Sequence, residues 1–499
     1  MLQRFFEAGI LVEADIEGKL KTLDLNSEDL IDFVKGKDEF MVTSELLEEF
    51  LSNPNKLKEE KEEKVIEEEK EKEEKGEVVI KKTNYKPVAK DYSPKIKIIE
   101  DTDVSEKSTC KGKVEDFVSL FKDRFKRTSA ILHSHPSNNN ISNYSGVKRG
   151  EKSRFIGLVR SKTVTKNGHL IIEAEDFEGV LKIFISNKNK DLLDKARMII
   201  NDEVLAFDGN YKDPFFYLDN FLWPDVPINN VKKTIEEDLS IAFTSDLHIG
   251  SKLFMRKNFE KFINWIKGNG STEKEREMAS KIKYLLIAGD LVDGIGIYPG
   301  QEKELEIQDI YEQYDVLMRY LEEVPEYINI VMIPGNHDAV RRADPQPKLD
   351  KTLIKKDYSN LLLGSSPSMF KVEDFNVLMY HGNSIDSMIS NIPNLSYHKP
   401  EKVLIEYMRR RHLGPIFGAN HLIPEEKDYL VVDRLPDIVH AGHVHKNGYA
   451  NYHNVSLINS GTWQDETDYQ RMQGHVPTPC QLPIFNMKKG FLEVVDFNE

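Results

Sequence analysis

The sequence has little cysteine. Only Cys110 and Cys480 occur in 499 residues, far apart in the chain. A disulfide framework and a thiolate zinc site are both excluded, and a reducing, intracellular setting is expected. No run of eighteen apolar residues occurs, so no membrane-spanning helix and no membrane partner are expected. The first eleven residues lack the basic-then-apolar order of a secretory signal. Positive charge is also short: the formal net charge is −15. Such a chain is repelled on average by a polyanion, so nucleic-acid binding would need local basic patches, bound cations or a partner. Apolar residues make up 39%, enough for a large core, and the length suits two or three domains.

Punctuation divides the chain into four segments. Residues 1–55 read as a small N-terminal helical module, with Ser44 a candidate cap. Residues 56–150 read as a charged flexible linker. Its Lys58 to Glu77 stretch is almost only Lys and Glu; it reads as a solvated tether or, alternatively, one exposed helix. Irregular chain is expected to continue through Tyr85 to Pro94. Within this linker, 114–132 places Phe117, Leu120, Phe121 and Phe125 at helical spacing among Lys122, Arg124, Lys126 and Arg127. That helix could pack on the protein or touch nucleic acid. Ser134 to Ser145 reads as a further loop.

Residues 151–235 read as five strands with a helix between the third and fourth. Phe155 to Val164 and Leu170 to Ala174 flank Asn167-Gly168, a hairpin signal. Val180 to Ile185, the helix Leu192 to Ile200, Val204 to Phe207 and Phe215 to Leu222 follow. This order suits an OB-type β-barrel, used either for oligonucleotides or for protein contact.

Residues 236–499 repeat one pattern: a short apolar, β-branched run ends in polar residues able to bind metal. Leu239 to Thr244 leads to Asp246 and His248. Tyr284 to Ala288 leads to Asp290 and Asp293. Ile328 to Ile333 leads to Asn336, His337 and Asp338. Phe375 to Tyr380 leads to His381, and Ile438 to Ala441 leads to His443 and His445. In α/β folds, sites gather at the carboxyl ends of strands, so these five clusters are expected to converge. Carboxylate, amide and imidazole donors without thiolate suit Mn, Fe or Zn. Seven ligands are too many for one ion and fit two that share a carboxylate.

Asp246-Leu247-His248, Gly289-Asp290, Gly335-Asn336-His337-Asp338, His381-Gly382 and Gly442-His443-Val444-His445 resemble the five motifs of the calcineurin-like metallophosphoesterases. The resemblance implies a four-layer α/β/β/α domain. It implies one metal on Asp246, His248, His445 and Asp290, and a second on Asn336, His381 and His443, with Asp290 bridging. It also implies that His337 stands beside the scissile phosphate and serves the leaving oxygen.

The flanks resemble more closely the small-subunit family of archaeal family D DNA polymerases. They include Gly289 to Gly296, Tyr298-Pro299-Gly300-Gln301, Gly335 to Arg342, Gln346-Pro347 and Met408 to Leu413. That resemblance implies a cytoplasmic, nucleoid-associated 3′→5′ exonuclease, with Mn the foremost metal. It implies DNA 3′ ends as substrate, single-stranded or mismatched, and a large polymerase subunit as partner. The eukaryotic relatives that have lost metal ligands motivate a rival reading as an inactive assembly subunit. A phosphatase or small-molecule phosphodiesterase is a third. Asp293 and Asp338 suit either the metal surroundings or turn duty. Arg341, Arg342 and Arg409 to Arg411 suit either phosphate contact or solvent. His398, His412, His421 and His453 stay unassigned.

Overall fold

The computed structural model describes residues 11, 12, 16, 30, 34, 41–52, 85–136 and 140–498. The chain divides into two compact units, Met1–Asn84 and Tyr85–Glu499.

In the first unit the described residues include a parallel pairing, Leu11–Val12 against Met41–Val42, which an all-helical reading of 1–55 does not contain. The helix Ser44–Ser52 follows. Its cap is Thr43 rather than Ser44: the Thr43 hydroxyl accepts from the Leu46 amide at 3.3 Å. The Lys58 to Glu77 stretch lies outside the described residues.

In the second unit the expectation of a linker reaching residue 150 fails from Tyr85 onward. Ile96–Ile98 is an edge strand antiparallel to Ser368–Val372, and Ala89 is buried among the sheet residues Tyr284 and Phe370. Three alternating residues between prolines and charges carry too weak a pattern to reveal a strand. Val114–His133 is a 20-residue helix. Leu132 packs on the barrel residues Ile156, Leu158 and Ala206, with Phe121 and Phe125 beside it. The buried Arg124 donates to Asp428 at 2.7 Å and to the Pro415 carbonyl at 2.6 Å. This helix therefore joins the barrel to the C-terminal sheets, and two of its basic residues serve that joint: Arg127 also bonds Asp433, at 2.9 Å.

Barrel strands run Lys152–Val164, Leu170–Glu175, Val180–Ile185, Val204–Lys212 and Phe215–Leu222. They pair in the order first, second, third, fifth, fourth, and the first also pairs with the fourth, which closes the barrel. The helix Lys190–Arg197 sits between the third and fourth strands.

Two six-stranded sheets form the C-terminal part. Ile282–Ala288 runs parallel between Ser240–Thr244 and Asn329–Ile333 in one sheet. In the other, Ile438–Ala441 runs parallel between Phe375–Met379 and Val455–Ser460. Alternation decides which face each residue covers. Ile241, Phe243, Leu286 and Ile333 meet Phe370, Val377, Met379 and Ile438 between the sheets. On the outer face of the first sheet, Ala242, Leu285 and Ile287 pack on Phe262, Ile266 and Leu317. These come from the helices Arg256–Ile266 and Ile310–Glu322. Outside the second sheet, Leu378, Val439 and Leu457 pack on Met388, Leu404 and Tyr407, from the helices Ile385–Asn391 and Pro400–Arg410. The result is helix, sheet, sheet, helix. Among the described residues no helix is long and apolar enough to cross a membrane.

Of the arginine run 409–411, Arg410 and Arg411 are buried within the protein. The fully buried Arg410 pairs with Glu203 at 2.8 Å and with Glu406, and Arg411 donates to the carbonyls of Val432 and Asp433 at 2.7 and 2.8 Å. Neither phosphate contact nor solvent describes Arg410, whose partner Glu203 lies some two hundred residues away in the barrel. Arg410→Ala should destabilise the chain by about 3–5 kcal/mol, since Glu203 is then buried without its cation, while Glu406 keeps Arg409. Urea unfolding of variant and parent measures this.

Candidate metal centre

Parallel neighbours bring their carboxyl ends together. Asp246, Asp290 and Asn336 follow three adjacent strands of one sheet, and His381 and His443 follow two adjacent strands of the other. The loops are stapled to one another. The Asp246 amide donates to Gly289 O at 2.9 Å, His248 to Asp290 O at 3.1 Å, and Gly442 to His381 O at 2.9 Å. Five of the seven expected ligands sit in the left-handed region: Asp246 (φ 49°), His248 (50°), Asp290 (48°), His443 (73°) and His445 (55°). Each such residue costs on the order of 1–3 kcal/mol and persists only where the surrounding fold enforces it. The motif glycines make room: a Cβ on Gly335 would collide with the Asp290 carboxylate, and one on Gly442 with that of Asp246.

All eight expected site residues converge on one cluster. His248 Nε2 lies 3.0 Å from His445 Nε2, and His445 Nε2 lies 3.5 Å from Asp246 Oδ1. Asp290 Oδ2 lies 3.8 Å from His248 Nε2 and 3.3 Å from His381 Nε2. Asn336 Oδ1 is 3.1 Å from His381 Nε2 and 3.0 Å from His443 Nδ1. His337 stands beside His248, ring centroids 4.7 Å apart, and its amide donates to Asp290 Oδ1 at 2.8 Å.

The outward nitrogens of these rings decide what the inward ones can do. His381 Nδ1 faces the Ala288 carbonyl at 2.8 Å, and His443 Nε2 faces the Asp386 carboxylate at 2.9 Å. His248 Nδ1 faces Asp293 Oδ1 at 3.0 Å. A carbonyl or carboxylate takes the proton of a neutral ring, so the opposite nitrogen carries a lone pair. The lone pairs of His381 and His443 then both point at the Asn336 amide oxygen, another lone-pair donor. That arrangement is repulsive unless a proton or a metal ion lies among them; Asp290 and Asp246 favour the proton on His381 while no ion is bound, and the donor set fits a divalent metal that would displace it. By contrast His248, Asp293 and His337 also lie close together, but protons satisfy that trio: His337 Nδ1 donates to the Asp293 carbonyl at 2.8 Å.

Charge follows the same division. Burial opposes ionisation of Asp290, yet His381, His337 and His248 hold it well below the usual carboxylate range. Burial likewise disfavours the His381 cation, but Asp290 and Asp246 raise it to about 10. Burial and the Asp290 charge push Asp338 up to about 7. Burial lowers His337, and repulsion from His248 adds to this.

The alternatives for the two extra acids separate. Asp293 holds the His248 ring, whereas Asp338 accepts the Gly335 and Leu291 amides at 2.8 and 3.2 Å and serves the turn. Two supporting side chains escaped sequence reasoning. Asp386 holds His443, and Gln470 lies 2.7 Å from His445 Nδ1. The only sequence signal for Asp386 is its place five residues after His381; Gln470 has none. Arg341 is engaged by Glu425 at 3.0 Å, and Arg342 donates to the carbonyls of Gly296 and Ile297 at 2.9 and 2.8 Å. His412 bonds Asp428 at 3.0 Å, away from the cluster.

Residues 239–447 match the calcineurin-like phosphoesterase family, which implies divalent metals. The chain is 41% identical over 411 residues to the DNA polymerase II small subunit of Methanocaldococcus jannaschii, covering 81% of this chain and 69% of that one. It is 36% identical over 509 residues to the protein of that name from Methanothermobacter thermautotrophicus, covering 100% and 99%. The Archaeoglobus fulgidus protein of that name is 41% identical over 392 residues, 78% of each. With a phosphoesterase domain at its centre and a relative matched almost end to end, the chain belongs to the DNA polymerase II small subunit family.

Proposed function

We propose that this chain is the 3′→5′ proofreading exonuclease of a DNA polymerase and a scaffold for the large polymerase subunit. The observation that carries the reading is the convergence of four imidazoles, two carboxylates and an amide whose lone pairs face one another, with His337 alongside. Asp246, His248, Asp290 and His445 would hold one divalent ion, and Asn336, His381 and His443 a second, with Asp290 common to both. Manganese is the expected metal, and iron or zinc suit the same donors. Two bound ions would supply Lewis acidity and a hydroxide nucleophile near neutral pH.

The remaining work falls to the chain itself. Asp293, Asp386 and the Ala288 carbonyl fix the rings and their tautomers. His337, tethered through Nδ1 to the Asp293 carbonyl, keeps Nε2 free to serve the departing O3′. An anionic phosphate beside that ring offsets the effect of burial and favours its protonated form. The barrel is assigned to the OB type, and it offers surface to the large subunit or to DNA.

The test is a 3′-mismatched primer incubated with Mn²⁺ and the chain, with and without the co-expressed large subunit. Stepwise shortening from the 3′ end is expected. An intact primer at high enzyme concentration, with about two equivalents of metal bound, would instead support an inactive assembly subunit.

A further inference from the structure

Tyr469 and Tyr298 stand at opposite ends of the imidazole row, and neither belongs to the metal set. Ring to ring, the row runs from Tyr298 to His337 at 6.4 Å, to His248 at 4.7 Å and to His445 at 4.8 Å. Gln470 follows, in contact with His445 Nδ1, and Tyr469 is its neighbour on the helix Asp468–Gln473. Both tyrosines are open to solvent, Tyr298 at 40% and Tyr469 at 64% exposure. Met472, three residues beyond Tyr469, is 78% exposed and falls on the same helix face.

The segment carrying Tyr469 is held against the site from several sides. The Thr478 amide donates to His445 O at 2.9 Å. The His475 ring lies on Tyr397, centroids 3.8 Å apart, and the Tyr397 hydroxyl donates to Asp386 at 2.8 Å. Arg471 pairs with Glu466 and Asp468, which reduces the negative charge beside Tyr469. Tyr298 is tied through its hydroxyl to Glu304 at 2.8 Å. Tyr298 is thus a positioned apolar face beside His337, and Tyr469 projects from a helix that Gln470 ties to His445. A strand whose phosphodiester reaches the cluster must lay one base on either side of it.

We propose that these two rings are stacking platforms for nucleobases flanking the scissile phosphate: Tyr469, with Met472, for the terminal base and Tyr298 for the penultimate one. The assignment rests on the exonuclease reading. Water oxygen joins phosphorus, the P–O3′ bond breaks, and the proton goes to O3′ of the penultimate nucleotide. His337 serves that oxygen, so the retained strand passes on the His337 side, where Tyr298 stands. The released nucleotide occupies the His445 side, next to Tyr469. Each stack contributes a modest, sequence-independent preference for an unpaired end, because every base offers a π-face.

The experiment pairs variants with abasic substrates, using the full chain with its large subunit and Mn²⁺. The single-stranded DNA carries an abasic residue at the terminal or the penultimate position. Tyr469→Ala should lower kcat/KM on the normal strand about 5- to 100-fold, mainly through KM. It should have no effect on the strand lacking the terminal base. Tyr298→Ala should show the mirror pattern, insensitive only where the penultimate base is absent. Tyr469→Trp should retain the parental preference, and metal content should be unchanged throughout. Equal losses on all three substrates, or none on the normal strand, would overturn the platforms while leaving the nuclease intact. A parent unable to shorten any strand would instead overturn the exonuclease reading on which they rest.

Discussion

His337→Ala is expected to bind its metals as the parent does and to lose roughly 10²–10⁴-fold in hydrolysis, the range for removing a positioned general acid. The geometry separates these two outcomes. His337 Nδ1 is committed to the Asp293 carbonyl at 2.8 Å, so the ring is oriented by the protein rather than by an ion. The side chain keeps 15% exposure where Asp293 and His248 have 2%, which leaves it open to an incoming phosphate. Metal analysis of the purified variant and its rate on 3′-mismatched primer test both parts. Loss of metal in this variant would move His337 into the ligand set and reassign its neighbours. A substrate whose bridging 3′ oxygen is replaced by sulfur, a better leaving group, should narrow the defect, because a general acid matters most where the leaving atom is most basic.

How much of this centre was legible beforehand depends on the range of each interaction. The five strand-then-ligand runs are local patterns, and each observed strand ends within two residues of its expected end. Their convergence also followed, because parallel strands place their loops on one edge. The glycines of the motifs have a local cause as well, since the Asp290 and Asp246 carboxylates occupy the space a Cβ would take.

The supporting contacts were not legible. Asp386 reaches His443 across 57 positions and Gln470 reaches His445 across 25. Beyond the place of Asp386 five residues after His381, nothing in the spacing of either distinguishes it from a surface residue. The same limit explains the arginines. Arg410 reads as a free cation at the end of a helix until the barrel's Glu203 closes on it. It explains Ile96–Ile98, whose strand exists only because Ser368–Val372 offers an open edge. Interactions within about ten residues leave periodicity or spacing in the sequence; pairings across a domain boundary leave none.

Asp290 should be the most damaging single position. Its Oδ2 lies between His248 of one half of the cluster and His381 of the other, while Oδ1 anchors the His337 amide. Removing it therefore reaches both expected ions and the leaving-group histidine together, whereas Asp246→Ala removes a ligand of the His445 half and, on the other side, the acceptor of the His443 amide, leaving the pairing of His381 with Asp290 in place. Asp290→Ala is expected to bind less than one equivalent of metal where the parent binds about two. Lost charge stabilisation of several kcal/mol corresponds to a fall in rate of at least about 10³–10⁴-fold. Asp290→Asn separates the two duties, since its amide oxygen can still accept from the His337 backbone. If the backbone anchor were the main contribution, Asn would restore most of the rate; if the shared charge dominates, it should remain near the alanine level. Two retained equivalents in Asp290→Ala would show that the ions do not share this carboxylate. The cluster would then be two independent sites.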